Sequence, residues 1–310
     1  MLIGGEDADY LDGGRNIDTL SGGIGNDTYV VDNASDVVTE AAGDANDMVF
    51  AKVSYALSAA ADVERLAAIT DTATTAMNLT GNNIAQIIQG NNGTNNLKGL
   101  GGGDTLRGLG GNDTLDGGTG IDTMIGGTGN DTYIVENTLD VVDEVNGGGG
   151  IDLVKASVSW TLGTNQNNLT LTGAGQSSGT GNSGSNVITG NAAHNVLNGG
   201  GGFDTFVFNT ALDSAKYDII GDFNHAMDTF NLENAAFIGL ANGNLASGVF
   251  KVIASANSTV GVDGDDRILY DKAHGDLYFD RDGSGATYGR VKFAEVANNS
   301  ALDHTDFFVI

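Results

Sequence analysis

Aspartate recurs every nine residues inside a glycine-rich frame, and these side chains have the clearest chemical use in the sequence. Blocks such as GGIGNDTYV (22–30), GLGGNDTLD (108–116) and GGTGNDTYI (126–134) place aspartate at position six and an apolar residue at position eight. Glycine permits the positive φ angles that let a short loop turn its carbonyl oxygens inward. Because calcium prefers carboxylate and carbonyl oxygens as ligands, the blocks predict calcium sites.

The repeat also predicts which aspartates lie next to each other. Two consecutive blocks would form one coil of a stacked, solenoid-like protein, so each loop should stack on the loop eighteen residues further along the chain. This rule gives the facing pairs Asp9 with Asp27, Asp104 with Asp122, Asp113 with Asp131, Asp18 with Asp36, Asp122 with Asp140, and Asp204 with Asp222. The predicted metal ligands are the position-six aspartates Asp9, Asp18, Asp27, Asp36, Asp104, Asp113, Asp122, Asp131, Asp140, Asp204, Asp213 and Asp222.

Some loops keep the frame but lose part of its chemistry. Asn95, Asn186 and Asn195 stand where aspartate is expected and offer only neutral oxygens. These loops are predicted either as weak sites or as amide ladders without metal. Other loops keep the aspartate but lack most of the glycines, so an ordinary turn aspartate is the alternative to a metal ligand there. The aspartates of this second kind are Asp36, Asp140, Asp213 and Asp222.

Extended strands must hold these loops in register. The glycine blocks form three arrays, at residues 4–30, 81–134 and 181–207. The last three residues of a block should be extended, with position eight pointing to the interior. The segments between the arrays, 37–80 and 141–180, alternate apolar and polar residues and are predicted as calcium-free strands. The chain is therefore predicted to be all-β, with a repeat body at 1–207 and a β-rich domain at 208–310.

The composition restricts the function classes. A formal net charge of −27, with 13 basic residues among 310, excludes the electrostatic footprint of a nucleic-acid-binding protein and favours cations as partners. Cysteine is absent, so disulfides and thiolate metal sites are excluded. No apolar run reaches the ~20 residues of a membrane span, and the N-terminus lacks a signal-peptide pattern. We expect a soluble chain without a transmembrane segment, exported by another route.

The sequence offers little support for catalysis. It contains no cysteine and no H-E-x-x-H, and its four histidines are not paired at ligand spacing, so neither an enzyme nor a zinc or copper site is predicted. The motif DRDGSG resembles the start of an EF-hand loop at Asp280, Asp282 and Ser284, but its twelfth position is Val291 instead of glutamate. A hairpin turn between the strands DLYF and GRVKF is the favoured interpretation.

The glycine blocks resemble the haemolysin-type calcium-binding repeats of RTX proteins. The resemblance covers roughly residues 1–207 and implies a right-handed parallel β-roll with several Ca2+ ions between its turns. The tail, including DTFVFNTALDSAKYDIIGDFN (204–224) and the terminal DFFVI (306–310), is similar to the C-terminal region of that family. The resemblance implies that this region caps the roll and carries a signal for type I secretion machinery, which needs no N-terminal signal peptide.

Together, these features predict a secreted, extracellular calcium-binding protein that folds on calcium after type I export. Its expected role is structural or adhesive, at a surface layer, a cell surface or an extracellular polysaccharide. The alternative is the calcium-binding and secretion half of a larger extracellular enzyme, such as a protease, lipase or alginate-modifying enzyme. Met1 stands directly before a repeat in full register, as in such a segment, and the reading frame upstream of Met1 distinguishes the two. A membrane-active protein is a third hypothesis, for which the sequence offers no amphipathic or apolar segment.

Overall fold

The protein is built almost entirely from short β-strands. The computed structural model describes all residues except 41–42, 44–45, 145–147, 259–261 and 284–288. The chain forms two compact units, Met1–Lys155 and Ala156–Ile310. Both contain strands that stack in parallel, coil upon coil.

The strands of the first unit are short and evenly spaced along the chain. They are β1 (Leu2–Glu6), β2 (Tyr10–Asp12), β3 (Thr19–Ile24), β4 (Thr28–Val31), β5 (Val37–Thr39), β6 (Met48–Ala51), β7 (Tyr55–Ala56), β8 (Arg65–Ala68), β9 (Asn78–Thr80), β10 (Ile87–Gln89), β11 (Asn96–Gly101), β12 (Thr105–Gly110), β13 (Thr114–Thr119), β14 (Thr123–Thr128), β15 (Thr132–Val135), β16 (Val141–Val142) and β17 (Leu153–Ala156). Their hydrogen-bonded orders are β1-β3-β5, β16-β14-β12-β10-β8-β6-β4-β2 and β17-β15-β13-β11-β9-β7.

Neighbouring strands in these sheets are successive coils of the chain. Leu97 in β11 is paired with Leu115 in β13, and Leu106 in β12 is paired with Met124 in β14, each eighteen residues apart. All four are position-eight residues with no exposed surface. The core is therefore a stack of equivalent apolar positions, as the alternation of a strand requires.

The segment without glycine blocks joins the same stack. Val49 in β6 pairs in parallel with Tyr29 in β4 and with Leu66 in β8, and Leu66 pairs in turn with Ile88 in β10. Each of these side chains is fully buried. Residues 37–80 therefore contribute parallel strands to this stack.

The second unit adds antiparallel strands to its parallel coils. Its strands are β18 (Trp160–Thr161), β19 (Asn168–Leu171), β20 (Ser178–Thr180), β21 (Val187–Thr189), β22 (Val196–Asn198), β23 (Thr205–Phe208), β24 (Asp218–Ile220), β25 (Thr229–Leu232), β26 (Gly243–Asn244), β27 (Phe250–Ile253), β28 (Ile268–Asp271), β29 (Asp276–Phe279), β30 (Val291–Val296) and β31 (Phe307–Val309). Two 3₁₀ helices, Ser247–Val249 and His304–Asp306, precede β27 and β31. The sheet orders are β26-β31-β25-β23-β21-β19 and β18-β20-β22-β24-β30-β29-β28-β27.

An aromatic cluster fills the core of the second unit. The ring of Phe230 stacks on Phe223 at a centroid distance of 4.2 Å and on Phe307 at 5.1 Å. Phe307 belongs to the terminal strand β31, which lies between β25 and β26 and pairs in parallel with the former and antiparallel with the latter. The last residues of the chain are thus an interior strand of a sheet.

The fold class predicted from the repeats is confirmed: the protein is an all-β parallel β-roll with a β-rich C-terminal region. Strands β29 and β30 pair antiparallel, so the predicted hairpin between DLYF and GRVKF is also confirmed, although Ser284 lies outside the described residues. Among the residues described, no helix is long and apolar enough to cross a membrane. The predicted domain boundary between residues 207 and 208 stays a prediction.

Candidate calcium sites

Position six of one coil is hydrogen-bonded to position six of the next coil. The backbone N–H of Asp104 donates to Asp122 Oδ1 at 2.7 Å, and that of Asp113 donates to Asp131 Oδ1 at 2.7 Å. The same bond joins the predicted pairs Asp9 and Asp27 at 2.7 Å, Asp18 and Asp36 at 2.9 Å, and Asp122 and Asp140 at 3.1 Å. We call this series of bonds from N–H groups to carboxylates the position-six ladder.

Many ladder aspartates have a second carboxylate oxygen without a donor, whereas Oδ2 of Asp36 and Oδ2 of Asp140 each accept a backbone N–H bond at 3.1 Å. Oδ2 is buried without a hydrogen-bond partner in Asp9, Asp27, Asp104, Asp113, Asp122 and Asp131. Burial, together with repulsion from the next ladder carboxylate, raises the pKa of Asp104 and of Asp113 to about 7. Because a buried, ionised oxygen without water or a donor is costly, each Oδ2 needs either a proton or a cation.

Glycine occupies position one of these blocks because the site leaves no room for a side chain. A Cβ atom on Gly99 would overlap Asp104 Oδ2 and approach the carbonyl oxygen of Gly117 to 2.5 Å, and Gly108 is packed in the same way. A carboxylate oxygen of one coil and a carbonyl oxygen of the next coil therefore converge beside each of these glycines. Such a mixed set of oxygens is the donor set that calcium takes in proteins.

Where asparagine holds position six, its amide is satisfied by the protein alone. Asn95 Oδ1 accepts from the Asn91 N–H at 2.8 Å, and Asn95 Nδ2 donates to Asn91 Oδ1 at 3.0 Å. The Nδ2 groups of Asn186 and Asn195 donate to backbone carbonyls at 2.8 and 3.1 Å. An amide N–H thus takes the place that a cation would fill, and these bonds favour the amide-ladder interpretation of such loops.

The ladder changes its spacing after the third array. The N–H of Asn195 donates to Asp218 Oδ1 at 2.9 Å, across 23 residues, and the N–H of Asp204 donates to Asp228 Oδ1 at 3.0 Å, across 24 residues. Because the loops here contain extra residues, the next ladder aspartate comes later in the sequence than a count of eighteen predicts. Burial raises the pKa of Asp218 to about 7, as it does for Asp104 and Asp113 in the first unit.

Two predicted residues lie outside the ladder for this reason. Asp213 is exposed, and its carboxylate lies 3.8 Å from the Lys216 ammonium. Asp222 accepts from the Gly199 N–H at 2.8 Å, so the ladder partner of Asp204 is not Asp222 as the unbroken repeat predicts. Asp222 still lies close enough to Asp204 for its charge to contribute to the raised pKa of that residue.

Two further ladder residues, Asp47 and Asp152, are absent from the predicted set. The N–H of Asp27 donates to Asp47 Oδ1 at 2.7 Å, and the N–H of Asp131 donates to Asp152 Oδ1 at 2.8 Å. The spacings are 20 and 21 residues, so a rigid count of eighteen passes over them. A usable signal was present, because both aspartates stand two positions before a buried valine, as ladder aspartates stand before position eight.

Replacement of Asp218 by alanine should destabilise the calcium-loaded protein, whereas replacement of Asp213 should not. Asp218→Ala leaves the buried Asn195 N–H without its acceptor, at a cost of roughly 1–3 kcal/mol. Asp213→Ala removes only an exposed ion pair, worth about 0–1 kcal/mol. Urea unfolding of both variants in saturating calcium measures the difference. Equal losses in the two variants would contradict the change of spacing.

The fold and the donor set together define a class of protein. The described ladder offers carboxylate and carbonyl oxygens, and calcium takes about six to eight oxygens in flexible geometry, whereas magnesium demands near-octahedral sites. The buried Oδ2 atoms and the crowded position-one glycines fit such an ion. This is a calcium-binding parallel β-roll.

Comparison with known families identifies the family of the chain. A family model described as RTX calcium-binding nonapeptide repeat (4 copies) matches residues 3–38. A second, described as Peptidase M10 serralysin C terminal, matches residues 76–245, more than half of the chain. The chain belongs to this serralysin C-terminal family, and the resemblance to RTX proteins is confirmed. Comparison with curated proteins gave no match.

Proposed function

We propose that the protein is a secreted, non-enzymatic calcium-binding β-roll whose folding is driven by calcium outside the cell. The observation that carries this proposal is the series of Oδ2 atoms along the position-six ladder that are buried without a donor. Calcium is the partner that such a row of oxygens requires.

The ligands we propose are the ladder aspartates and Asp222, together with carbonyl oxygens of the neighbouring glycine loops. Asp218 replaces Asp213 in the predicted set, and Asp47, Asp152 and Asp228 are added to it. The proposed carboxylate ligands are Asp9, Asp18, Asp27, Asp36, Asp47, Asp104, Asp113, Asp122, Asp131, Asp140, Asp152, Asp204, Asp218, Asp222 and Asp228.

Coupling between metal binding and folding follows from the charge of the chain. With a net charge of −27, the unfolded chain gains little by compaction until cations neutralise the carboxylates. Binding to the folded state alone stabilises that state in proportion to the logarithm of the free calcium concentration. At the ~10⁻⁴–10⁻³ M affinities of extracellular calcium modules, the chain would stay unfolded in a low-calcium cytoplasm and fold outside.

Membership of the serralysin C-terminal family and the RTX repeats support export by type I machinery. We assign the exported protein a structural or adhesive role, in which the calcium-loaded roll acts as a rigid extracellular element at a cell surface or polysaccharide. A regular stack of coils is suited to this role because its stiffness comes from bonds repeated between every pair of neighbours.

Isothermal titration of the full chain with calcium, and separately with magnesium, tests the binding step. We expect several calcium ions per chain, with the magnesium titration giving no comparable heat at the same concentrations. Absence of calcium binding at millimolar concentration, or equal binding of both ions, would overturn the proposed function.

A further inference from the structure

Two clusters, each of three buried carboxylates, begin at the position-six aspartate of the same type of glycine block. Asp27, Glu40 and Asp47 offer oxygen atoms that all lie within 4.8 Å of one another. We call this the first Glu cluster. Its three residues are 0%, 4% and 0% exposed, so the charges are removed from solvent.

The second Glu cluster consists of Asp131, Glu144 and Asp152. Its oxygens meet the same 4.8 Å limit, and its residues are 1%, 1% and 2% exposed. The first cluster begins within the block at 22–30, and the second begins within the block at 126–134. The arrangement therefore occurs at equivalent places in the repeat.

The repeat frame explains how glutamate enters these clusters. Glu40 stands eighteen residues after Gly22, and Glu144 stands eighteen residues after Gly126, so each glutamate holds position one of the following coil. In the regular sites position one is glycine and supplies only a backbone carbonyl oxygen beside the ladder. Here a third carboxylate is added to the two ladder aspartates.

A tyrosine accompanies each glutamate. Tyr29 and Tyr133 hold position eight, where the other glycine blocks of the first unit carry leucine, isoleucine or methionine. The Tyr29 hydroxyl donates to Glu40, and the Tyr133 hydroxyl donates to Glu144. The Tyr133 hydroxyl also accepts from the Gly126 N–H at 2.9 Å, which fixes its direction. A buried hydroxyl at a core position is costly unless it is hydrogen-bonded, and here its bond orients the glutamate.

Three of the four aspartates in these clusters have a buried oxygen without a hydrogen bond. Oδ2 of Asp27, Asp47 and Asp131 is buried without a hydrogen bond, while Oδ1 of each accepts from a backbone N–H. A Cβ atom on Gly22 would overlap both Asp27 Oδ2 and the Tyr29 hydroxyl, so this oxygen lies beside the donor that holds Glu40. The oxygens face the cluster instead of solvent.

We propose that each Glu cluster is a calcium site with three carboxylate ligands, and that these two sites fill before the two-carboxylate sites of the position-six ladder. Calcium affinity rises with the number of charged ligands and with the rigidity of the site, and both clusters exceed the ladder sites in charge and carry an oriented glutamate. This inference rests on the proposed function, since it ranks sites within the calcium-binding roll. The two sites lie where the chain leaves a regular array of glycine blocks, and they connect the last block of the array to the irregular loops that follow it.

Titration of the full chain with terbium(III), a luminescent substitute for calcium, tests the ranking because tyrosine excites a nearby terbium ion. In the wild-type protein the first ions bound should give tyrosine-sensitised emission that excess calcium removes. The double variant Glu40→Gln and Glu144→Gln should shift this first phase to about tenfold or higher terbium concentration. Calcium titration followed by isothermal calorimetry should show the same loss of the tightest phase.

Two further variants separate binding from folding. The double variant Tyr29→Phe and Tyr133→Phe should lose most of the sensitised emission while terbium excited directly still reports bound ions. Glu6→Gln, at an exposed glutamate, is the matched control and should leave the first phase unchanged. Circular dichroism in saturating calcium verifies that each variant is folded.

The outcomes distinguish this inference from the proposed function. A first phase that is unaltered by both the glutamate and the tyrosine substitutions, in a chain that binds calcium, would overturn the ranking and leave the proposed function intact. A wild-type chain that binds neither calcium nor terbium would overturn the proposed function and this inference with it.

Discussion

Transfer of the purified protein from calcium to excess chelator at pH 7.5 should abolish most of its β-sheet circular-dichroism signal. Without metal, adjacent ladder carboxylates repel each other by roughly 4 kcal/mol per pair if they are about 4 Å apart at an effective dielectric constant of 20. Several such pairs outweigh the ~5–15 kcal/mol by which a native protein is usually stable. The metal-free chain at neutral pH is therefore expected to be largely unfolded.

Return of calcium should restore the spectrum, and the same concentration of magnesium should not. Hydrogen exchange at low calcium should show which strands open first. Protection should be lost first at β12–β15, which lie beside Asp104 and Asp113. It should be lost later at β21 and β22, which lie beside the amide ladder of Asn186 and Asn195. A β spectrum that is the same with and without chelator would refute the coupling of folding to calcium.

Acidification should have opposite effects on the metal-free and calcium-loaded protein. Burial raises the pKa of Asp113 from 3.8 to about 7, so the folded state binds protons more readily than the unfolded state. The stability that this group contributes to the metal-free fold is then fully present below pH about 4 and is lost as the pH rises through about 7. For one such carboxyl group the change is on the order of 4 kcal/mol. Lowering the pH from 7.5 to 5 should therefore restore β structure to the metal-free chain.

With calcium present, acidification should lower the stability of the fold instead of raising it, because protons compete with the ion for the same oxygens. Spectra recorded from pH 7.5 to 5 after exhaustive dialysis, and again in calcium, measure both slopes. Asp113→Asn provides the matched variant: it keeps an acceptor for the Asn95 N–H but removes the titrating charge, so the metal-free variant should be more structured at pH 7.5 than the wild type. Less β structure at pH 5 than at pH 7.5 in the metal-free protein would show that the aspartates are not desolvated as described.

The repeat could be interpreted from sequence where coil length is constant. Between Gly99 and Asp140 every coil has eighteen residues, so counting alone identifies the facing pairs Asp104 with Asp122 and Asp113 with Asp131. The same count reaches Asp36, which has few glycines around it, because the spacing and not the glycine content decides the stacking.

Counting fails where a loop is longer, since strand pairing aligns side chains and not sequence intervals. Asp218 and Asp228 join the ladder because Ile220 and Phe230 must pair with Leu197 and Phe206 in the buried sheets, and the extra loop residues are displaced outward. Asp213 is one of the displaced residues. The repeat pattern also did not predict Glu40 as a ligand, because position one of a block is normally glycine, which has no side chain.

The pairing of each strand with the coil before it has a consequence for the kinetics of folding. Most partners in the glycine arrays are only eighteen residues apart, so each new coil closes a short loop onto an existing edge. The chain contains no proline, which removes the slow isomerisation that delays many proteins. The coils can therefore fold one after another, each onto the coil before it. The folding time then grows in proportion to the number of coils, and the folding rate depends on the calcium concentration.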